Sequence, residues 1–225
     1  MAFDFEQLTE LQDSEGRGVI RIPNFVDDKL LFEAQLEVLN PDLMTWRDNH
    51  KTFINDAGRT IIQNYDVYSL RLSQGDQSPF ERIPNLVGVA DNVKKFVRSL
   101  GNVFPALVDW EPDDMSIHRY DKPKDVGLSS HRDHSCFKRI IAIAAIHGTA
   151  DYLIDDEPNF ERVFAGDLLL LRAPGLIRSD KDTRPFHSVS GIYTAGRISL
   201  TLRDDDGPDS LPERYHYENW SRSVS

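Results

Sequence analysis

Arg197-Ile198-Ser199-Leu200-Thr201-Leu202-Arg203 is a heptapeptide in strict polar–apolar alternation. Successive side chains of a strand point to opposite faces. Arg197, Ser199, Thr201 and Arg203 therefore share one face, and Ile198, Leu200 and Leu202 share the other. Working backwards from this stretch, short apolar runs punctuated by Gly, Pro and Asp recur as far as Phe104. They are Phe186 to Val189, Asp167 to Arg172, Asp151 to Ile154, Ile140 to Ile146, Val126 to His131 and Met115 to Tyr120. Many short strands at tight spacing predict a sandwich or barrel of the jelly-roll kind.

Ahead of Phe104 the pattern is different. Val19-Ile20-Arg21-Ile22 reads as a short strand broken by Pro23. Asp27 can cap a helix with Leu30, Leu31, Ala34 and Val38 on its apolar side, ending before Pro41. A second helix runs from about Asn85 to Leu100, with Leu86, Val89, Ala90, Val93 and Val97 on one face and Gly101 where a C-terminal glycine belongs. Residues 45–82 mix turn residues with strand-like Thr60-Ile61-Ile62 and Tyr65 to Leu72. The expected fold is mainly β (α+β), a jelly-roll core with N-terminal helices packed on it. Residues 1–225 read as one domain: a helical, lid-bearing part (1–110), the core (111–204) and a tail (205–225).

Bulk properties narrow the field. The chain has 225 residues, 40% of them hydrophobic, enough to bury a core unaided. Cys136 is the only cysteine, which excludes an internal disulfide and a cysteine-based zinc site. The N-terminus is acidic where a secretory signal is basic, and the aliphatic run Ile140 to Ile146 is too short to span a bilayer. The expectation is a cytoplasmic protein without a membrane segment. A net charge of −11 disfavours polyanionic partners, although a local basic groove is compatible with it. Oligomeric state leaves no sign in the sequence.

His131-Arg132-Asp133 places an imidazole and a carboxylate two residues apart, on one side of an extended segment. Two His and one carboxylate on one face of an octahedron suit a divalent first-row metal and leave three positions open. Alone, His-x-Asp arises readily by chance among 7 His and abundant Asp, and a turn with a surface carboxylate explains it equally well. A third ligand would come from a later strand. His187, after the run Leu168 to Leu171 and a polar loop, competes with His147, His118 and His134. His147 ends an aliphatic run beside Gly148, and His134 sits at an odd offset from His131. The polar face of the Arg197 strand has two readings. One is a solvated edge strand; the other is a pocket for a dicarboxylate, which Arg binds bidentately.

Taken together, His131-x-Asp133, His187, and Arg197-x-Ser199 ten residues further on resemble the iron(II)/2-oxoglutarate dioxygenase superfamily. Tyr120 looks like the tyrosine many members carry on the strand before His-x-Asp, and Gly166-Asp167 resembles the turn preceding their distal His strand. The resemblance covers residues from about Met115 to Asp204. Arg197 to Arg203 is similar to the paired-arginine strand of the AlkB-type alkylation-repair branch. Arg197-x-Ser199 equally resembles the isopenicillin-synthase and plant-hydroxylase branch. His118 departs from the repair pattern, which usually has Asn two residues before the tyrosine.

The resemblance implies a double-stranded β-helix with iron(II) on His131, Asp133 and His187. It implies 2-oxoglutarate as cosubstrate, with its distal carboxylate on Arg197, Ser199 and Tyr120 as hydrogen-bond partners, and Arg203 near its metal-bound end. Oxygen and a substrate C–H bond would yield an oxidised product, succinate and carbon dioxide, with hydroxylation the default. A retained Asp133 argues against a halogenase. A small-molecule substrate is expected before nucleic acid. The alternatives are an AlkB-like demethylase of alkylated nucleic acid and a non-catalytic metal-dependent binding barrel. Substrate contacts are expected from residues 45–82, with Trp46, Arg47, Tyr65, Tyr68 and Arg71 as candidate lid residues. Further contacts are expected from the loops Lys122 to Asp125 and Ser179 to Arg184.

Overall fold

A computed structural model describes residues 5–55, 58–71, 77–121, 126–154, 160–193 and 196–205. After a single 3-10 turn come α1 (Thr9–Gln12), β1 (Val19–Ile22), α2 (Asp28–Leu39), β2 (Arg47–Asp48), β3 (Lys51–Ile54), β4 (Thr60–Gln63) and β5 (Asp66–Arg71). Next are α3 (Ser78–Glu81), α4 (Pro84–Ser99), β6 (Asp114–Tyr120), β7 (Val126–His131), β8 (Phe137–His147) and β9 (Thr149–Ile154). The chain continues through β10 (Phe160–Phe164), β11 (Leu168–Arg172), β12 (His187–Ser190) and β13 (Arg197–Asp205).

Two antiparallel sheets result. The major sheet has the order β1-β11-β8-β13-β6-β5-β2 and the minor sheet β10-β9-β12-β7-β4-β3. From β6 to β13 the chain visits them in the order major, minor, major, minor, minor, major, minor, major. That palindrome is the winding of a double-stranded β-helix, the jelly-roll the sequence predicts.

The Leu168 to Leu171 run is apolar throughout because its strand is covered on both sides. Leu168 and Leu170 face the helices, and Leu169 and Leu171 face the space between the sheets. The same alternation sorts β13: Ile198, Leu200 and Leu202 pack into the helix-side core with Leu86, Val89, Val93 and Val97 of α4. Its polar face is thereby turned into the barrel, not into solvent. Each fully buried aliphatic side chain contributes roughly 1.5–3 kcal/mol, so this register is strongly specified.

Asp27 caps α2 as expected, accepting from the backbone N–H of Lys29 and Leu30. The N-terminus of α4 has no cap of its own. The buried Glu37 carboxylate, on α2, accepts from the backbone N–H of Asn85 and Leu86 and from the Asn85 amide instead.

Several expectations need correction. The first half is less helical than its periodicity suggests, because β1–β5 extend both sheets. β10 follows residues 155–159 and carries no clean alternation, so it went unread. Gly101 is not a left-handed cap but part of a 3-10 turn, where an added Cβ would meet Val108 Cγ2 at 2.6 Å. Close approach, not positive φ, requires glycine there. The tail begins one residue later than expected, since β13 continues through Asp205. The rest of the tail, 206–225, and the loop 122–125 lie outside the described residues. Among the described residues no helix is long and apolar enough to cross a membrane.

Candidate metal centre

β7 ends at His131, and β12 begins at His187 directly opposite it in register. That pairing brings the ring centres of the two histidines to 4.2 Å. Asp133 follows just beyond β7, with its Oδ2 3.5 Å from His187 Nε2. The ligand atoms of His131, Asp133 and His187 all lie within 4.8 Å of one another. His134 turns away and accepts from the backbone N–H of Cys136, while His147 terminates β8. His118 is buried in the same cavity wall, outside this cluster.

Both histidines are oriented by their backbone. His131 Nδ1 is 3.0 Å from the Ser129 carbonyl, and His187 Nδ1 is 3.3 Å from the Pro185 carbonyl. A carbonyl can only accept, so each Nδ1 carries the proton and each Nε2 presents a lone pair. Burial, reinforced by the neighbouring His131, pushes His187 down to about 3, so it is neutral at neutral pH. Burial alone would raise the Asp133 carboxyl, but Arg203, His187 and His131 outweigh it and hold it below the usual range. Two imidazoles, each with Nδ1 on a backbone carbonyl, and an ionised carboxylate form a donor set suited to a divalent first-row cation.

The cavity beside this set has a volume of about 30 Å³. Arg197, Ser199, Thr201 and Arg203 line it along β13, so all four polar residues of the alternating strand face inward. Tyr120 lies opposite Arg197 in register, and the Arg197 guanidinium carbon is 5.1 Å from its ring centre. An added Cβ on Gly127 would meet the Tyr120 ring at 2.8 Å, so only glycine leaves that ring its place. Burial raises the Tyr120 hydroxyl above its ordinary pKa although Arg197 pulls the other way.

Arg197 is 2% exposed, yet among the described residues its Nε and Nη1 have no hydrogen-bond partner. Burial lowers its pKa. The contrast with Arg172, equally buried at 3%, is instructive. Arg172 donates to the carbonyls of Leu11, Asp13, Gly16 and Thr183, tying α1 to the barrel. One buried guanidinium is satisfied by the chain; the other is aimed into a cavity with two donor groups empty. Leaving a buried charge unpaired costs on the order of several kcal/mol, so Arg197 fits a carboxylate that is not part of this chain.

Tyr152 was missed by sequence reasoning, which took its strand as scaffold. It lies on β9 beside β12, its ring stacked on His187 at 5.4 Å and 9°. Among the described residues its buried hydroxyl also lacks a partner, and burial, followed by the Asp133 charge, raises its pKa well above the ordinary value. Alternation next to His187 was the available signal. Arg203 is otherwise engaged: its Nη1 bonds Asp114 at 2.8 Å and its Nη2 is 3.7 Å from Asp133 Oδ1.

The candidate lid residues divide. Tyr65 and Tyr68 are core, and Arg71 is buried against Asp113 and Asp205, so none of these is a lid. Trp46 packs on Tyr68 and under Arg119, and Arg47 is exposed.

A second set, Asp48, His50 and Asp66, also brings its ligand atoms within 4.8 Å. It lies on the surface, and Asp66 is already paired with Arg119 at 2.8 Å.

Neither family models nor curated protein sequences match the chain. Solved structures do. A prolyl hydroxylase from Trichoplax adhaerens, in complex with a hypoxia inducible factor peptide fragment, aligns over 91% of this chain and 94% of its own, with TM-score 0.54 and 16% identity. The rice dioxygenase for auxin oxidation aligns over 92% and 84%, with TM-score 0.56 and 15% identity. A 2OG-Fe(II) oxygenase family oxidoreductase from Burkholderia pseudomallei aligns over 88% and 86%, with TM-score 0.52 and 13% identity. The class is therefore a double-stranded β-helix protein. Within that class, the fold is the one shared with this prolyl hydroxylase, this auxin dioxygenase and this 2OG-Fe(II) oxygenase family member.

Proposed function

We infer that the protein is an iron(II)- and 2-oxoglutarate-dependent oxygenase that oxidises a C–H bond, by default to an alcohol. The overall balance is substrate, 2-oxoglutarate and oxygen giving hydroxylated substrate, succinate and carbon dioxide. The observation that carries this reading is the buried Arg197 guanidinium, whose Nε and Nη1 have no hydrogen-bond partner among the described residues, in the cavity where His131, Asp133 and His187 converge. A metal triad alone would fit many hydrolases. A metal triad beside an empty buried cation calls for an anionic cosubstrate at the same metal.

His131, Asp133 and His187 would hold the iron, three protein ligands that leave coordination positions for cosubstrate and oxygen. Iron(II), when bound, supplies the oxygen activation that no side chain can. The chain supplies position and dryness. Arg197, with the Tyr152 hydroxyl as the other empty donor, would take the distal carboxylate of 2-oxoglutarate, and Tyr120 braces the guanidinium from the side. Ser199 and Thr201 offer hydroxyls along its length. Leu128, Ile143 and Val189 form the apolar wall that keeps bulk water from the cavity. Arg203 stands beside Asp133 and holds that carboxylate in place, with Asp114 as its own anchor.

A small-molecule substrate is favoured over nucleic acid by the net charge of −11. The test is reconstitution with iron(II) and 2-oxoglutarate. Slow, oxygen-dependent succinate release is expected even without substrate. No release, together with a His131→Ala variant that binds iron as well as wild type, would falsify the reading.

A further inference from the structure

Resting on that reading, we propose that the rim formed by Arg59, Phe186 and Arg132 is the anion-binding part of the substrate site, and that the substrate is a small organic acid held there by its carboxylate. The placement follows from register. Phe186 immediately precedes His187, and Arg132 stands between His131 and Asp133, so both backbones flank the metal ligands while their side chains lie outside the cavity lining. β4 runs antiparallel beside β7, with Gln63 opposite Leu128, which carries the residue preceding β4 to the His131 end of the sheet. That residue is Arg59, fixed by backbone bonding across the β3–β4 hairpin: its carbonyl accepts from Asn55 N–H at 2.9 Å.

The three side chains meet. The guanidinium carbons of Arg59 and Arg132 lie 3.9 and 4.0 Å from the centre of the Phe186 ring. Arg184, one turn of loop away, donates to the Asp133 carbonyl at 2.5 Å. Against these cations stands Asp182, shared between Arg184 at 2.6 Å and Arg132 at 3.1 Å. Among the described residues the Arg59 guanidinium has no carboxylate partner, and Arg132 Nε is buried without a hydrogen-bond partner. In a chain of net charge −11, the metal's rim is therefore locally positive.

Stacking on an aromatic face fixes guanidiniums in orientation without using their in-plane N–H donors; Arg132 spends Nη1 on Asp182, and the Arg59 donors stay available to an anion. Two cations on one ring repel each other, and an anion between them relieves that repulsion. One carboxylate matches the two stacked guanidiniums. A polyanion would have to lie across Asp182.

The test uses 4-fluorobenzoate and its neutral isostere 4-fluorobenzamide as probes. They are read by ¹⁹F NMR on the full chain, loaded anaerobically with iron(II) and saturating 2-oxoglutarate. The acid should bind saturably, with paramagnetic broadening that places it near the iron, and the amide at least about tenfold more weakly. Arg59→Gln and Arg132→Gln should each weaken the acid about fivefold or more, with the melting temperature showing that each variant is folded. Arg17→Gln, on a distant surface ion pair, should leave binding unchanged. Equal binding of acid and amide, no saturable binding of the acid, or unaltered binding in both rim variants would overturn the proposal. So would a methylated oligonucleotide that displaces the acid at lower concentration than benzoate does, which would assign the rim to a polyanion. The charge-transfer absorption of the iron–2-oxoglutarate pair, recorded on the same samples, reports on the functional reading separately. If it is absent while zinc-loaded protein still binds the acid, the oxygenase reading fails and the rim stands.

Discussion

Two clusters in this molecule offer the same ligand chemistry in different surroundings. His131, Asp133 and His187 lie within the barrel; Asp48, His50 and Asp66 lie on the β2–β5 surface. In the first, each histidine is locked by a backbone carbonyl and the carboxylate is ionised by a guanidinium 3.7 Å away. In the second, water competes at every position and Arg119 already occupies Asp66. Proximity of donor atoms is common to both. Orientation, desolvation and a buried guanidinium with unpartnered N–H groups in the same cavity distinguish the first among the described residues.

The largest effect that sharpens the comparison is on iron. Asp133→Ala should lower iron(II) affinity by about 100-fold or more and abolish succinate release, since even losing an outer-shell partner costs 10–100-fold. Asp48→Asn with His50→Ala should change neither, as read by iron titration and turnover. Comparable losses from both sets would break the distinction.

Next in size is the cosubstrate. Arg197→Gln should raise the 2-oxoglutarate requirement by about 100-fold, the scale of truncating one partner of a buried charge pair. The two buried arginines should then part company in ligand-free protein. Arg172→Met should lower the melting temperature by several degrees, because it strands carbonyls that now have a donor. Arg197→Met should hold or raise it, because it removes an unpaired buried charge.

The pH dependence is smaller but has a definite sign. Burial, followed by the Arg203 charge, pushes His118 down to about 3. The unfolded chain takes up this proton near 6.5, and the folded chain resists it until about 3. The stabilising contribution is therefore complete above 6.5 and declines as pH falls towards 3, by at most about 1.4 kcal/mol per pH unit. In metal-free protein, urea unfolding between pH 7 and 4 should show a shallower decline for His118→Asn than for wild type.

Smallest is the cap. Glu37→Ala should cost about 1–2 kcal/mol by leaving the α4 N-terminus open, with iron affinity unchanged.

Much of this was legible in the sequence wherever one side chain had one environment. The alternation of Arg197 to Arg203 announced its own two faces, and the even spacing of His131 and Asp133 announced convergence. What stayed hidden depended on strands meeting. Tyr152 looks like any core aromatic until β9 is laid beside β12 and its ring falls on His187. Tyr65, Tyr68 and Arg71 looked like lid residues because composition does not distinguish a buried strand from a mobile flap. β5 lies between β2 and β6, and that position turns them inward. Asp114 was invisible because its role is to hold Arg203, a relation set by the Arg203–Asp114 register of β13 and β6.

The most direct measurement is a crystal grown and soaked anaerobically with iron(II) and 2-oxoglutarate, with data collected across the iron absorption edge. The account predicts one strong anomalous peak bounded by His131 Nε2, Asp133 and His187 Nε2, with a dicarboxylate running from it to Arg197. A peak at Asp48, His50 and Asp66 instead, or an occupied triad with Arg197 still unpaired, would contradict it.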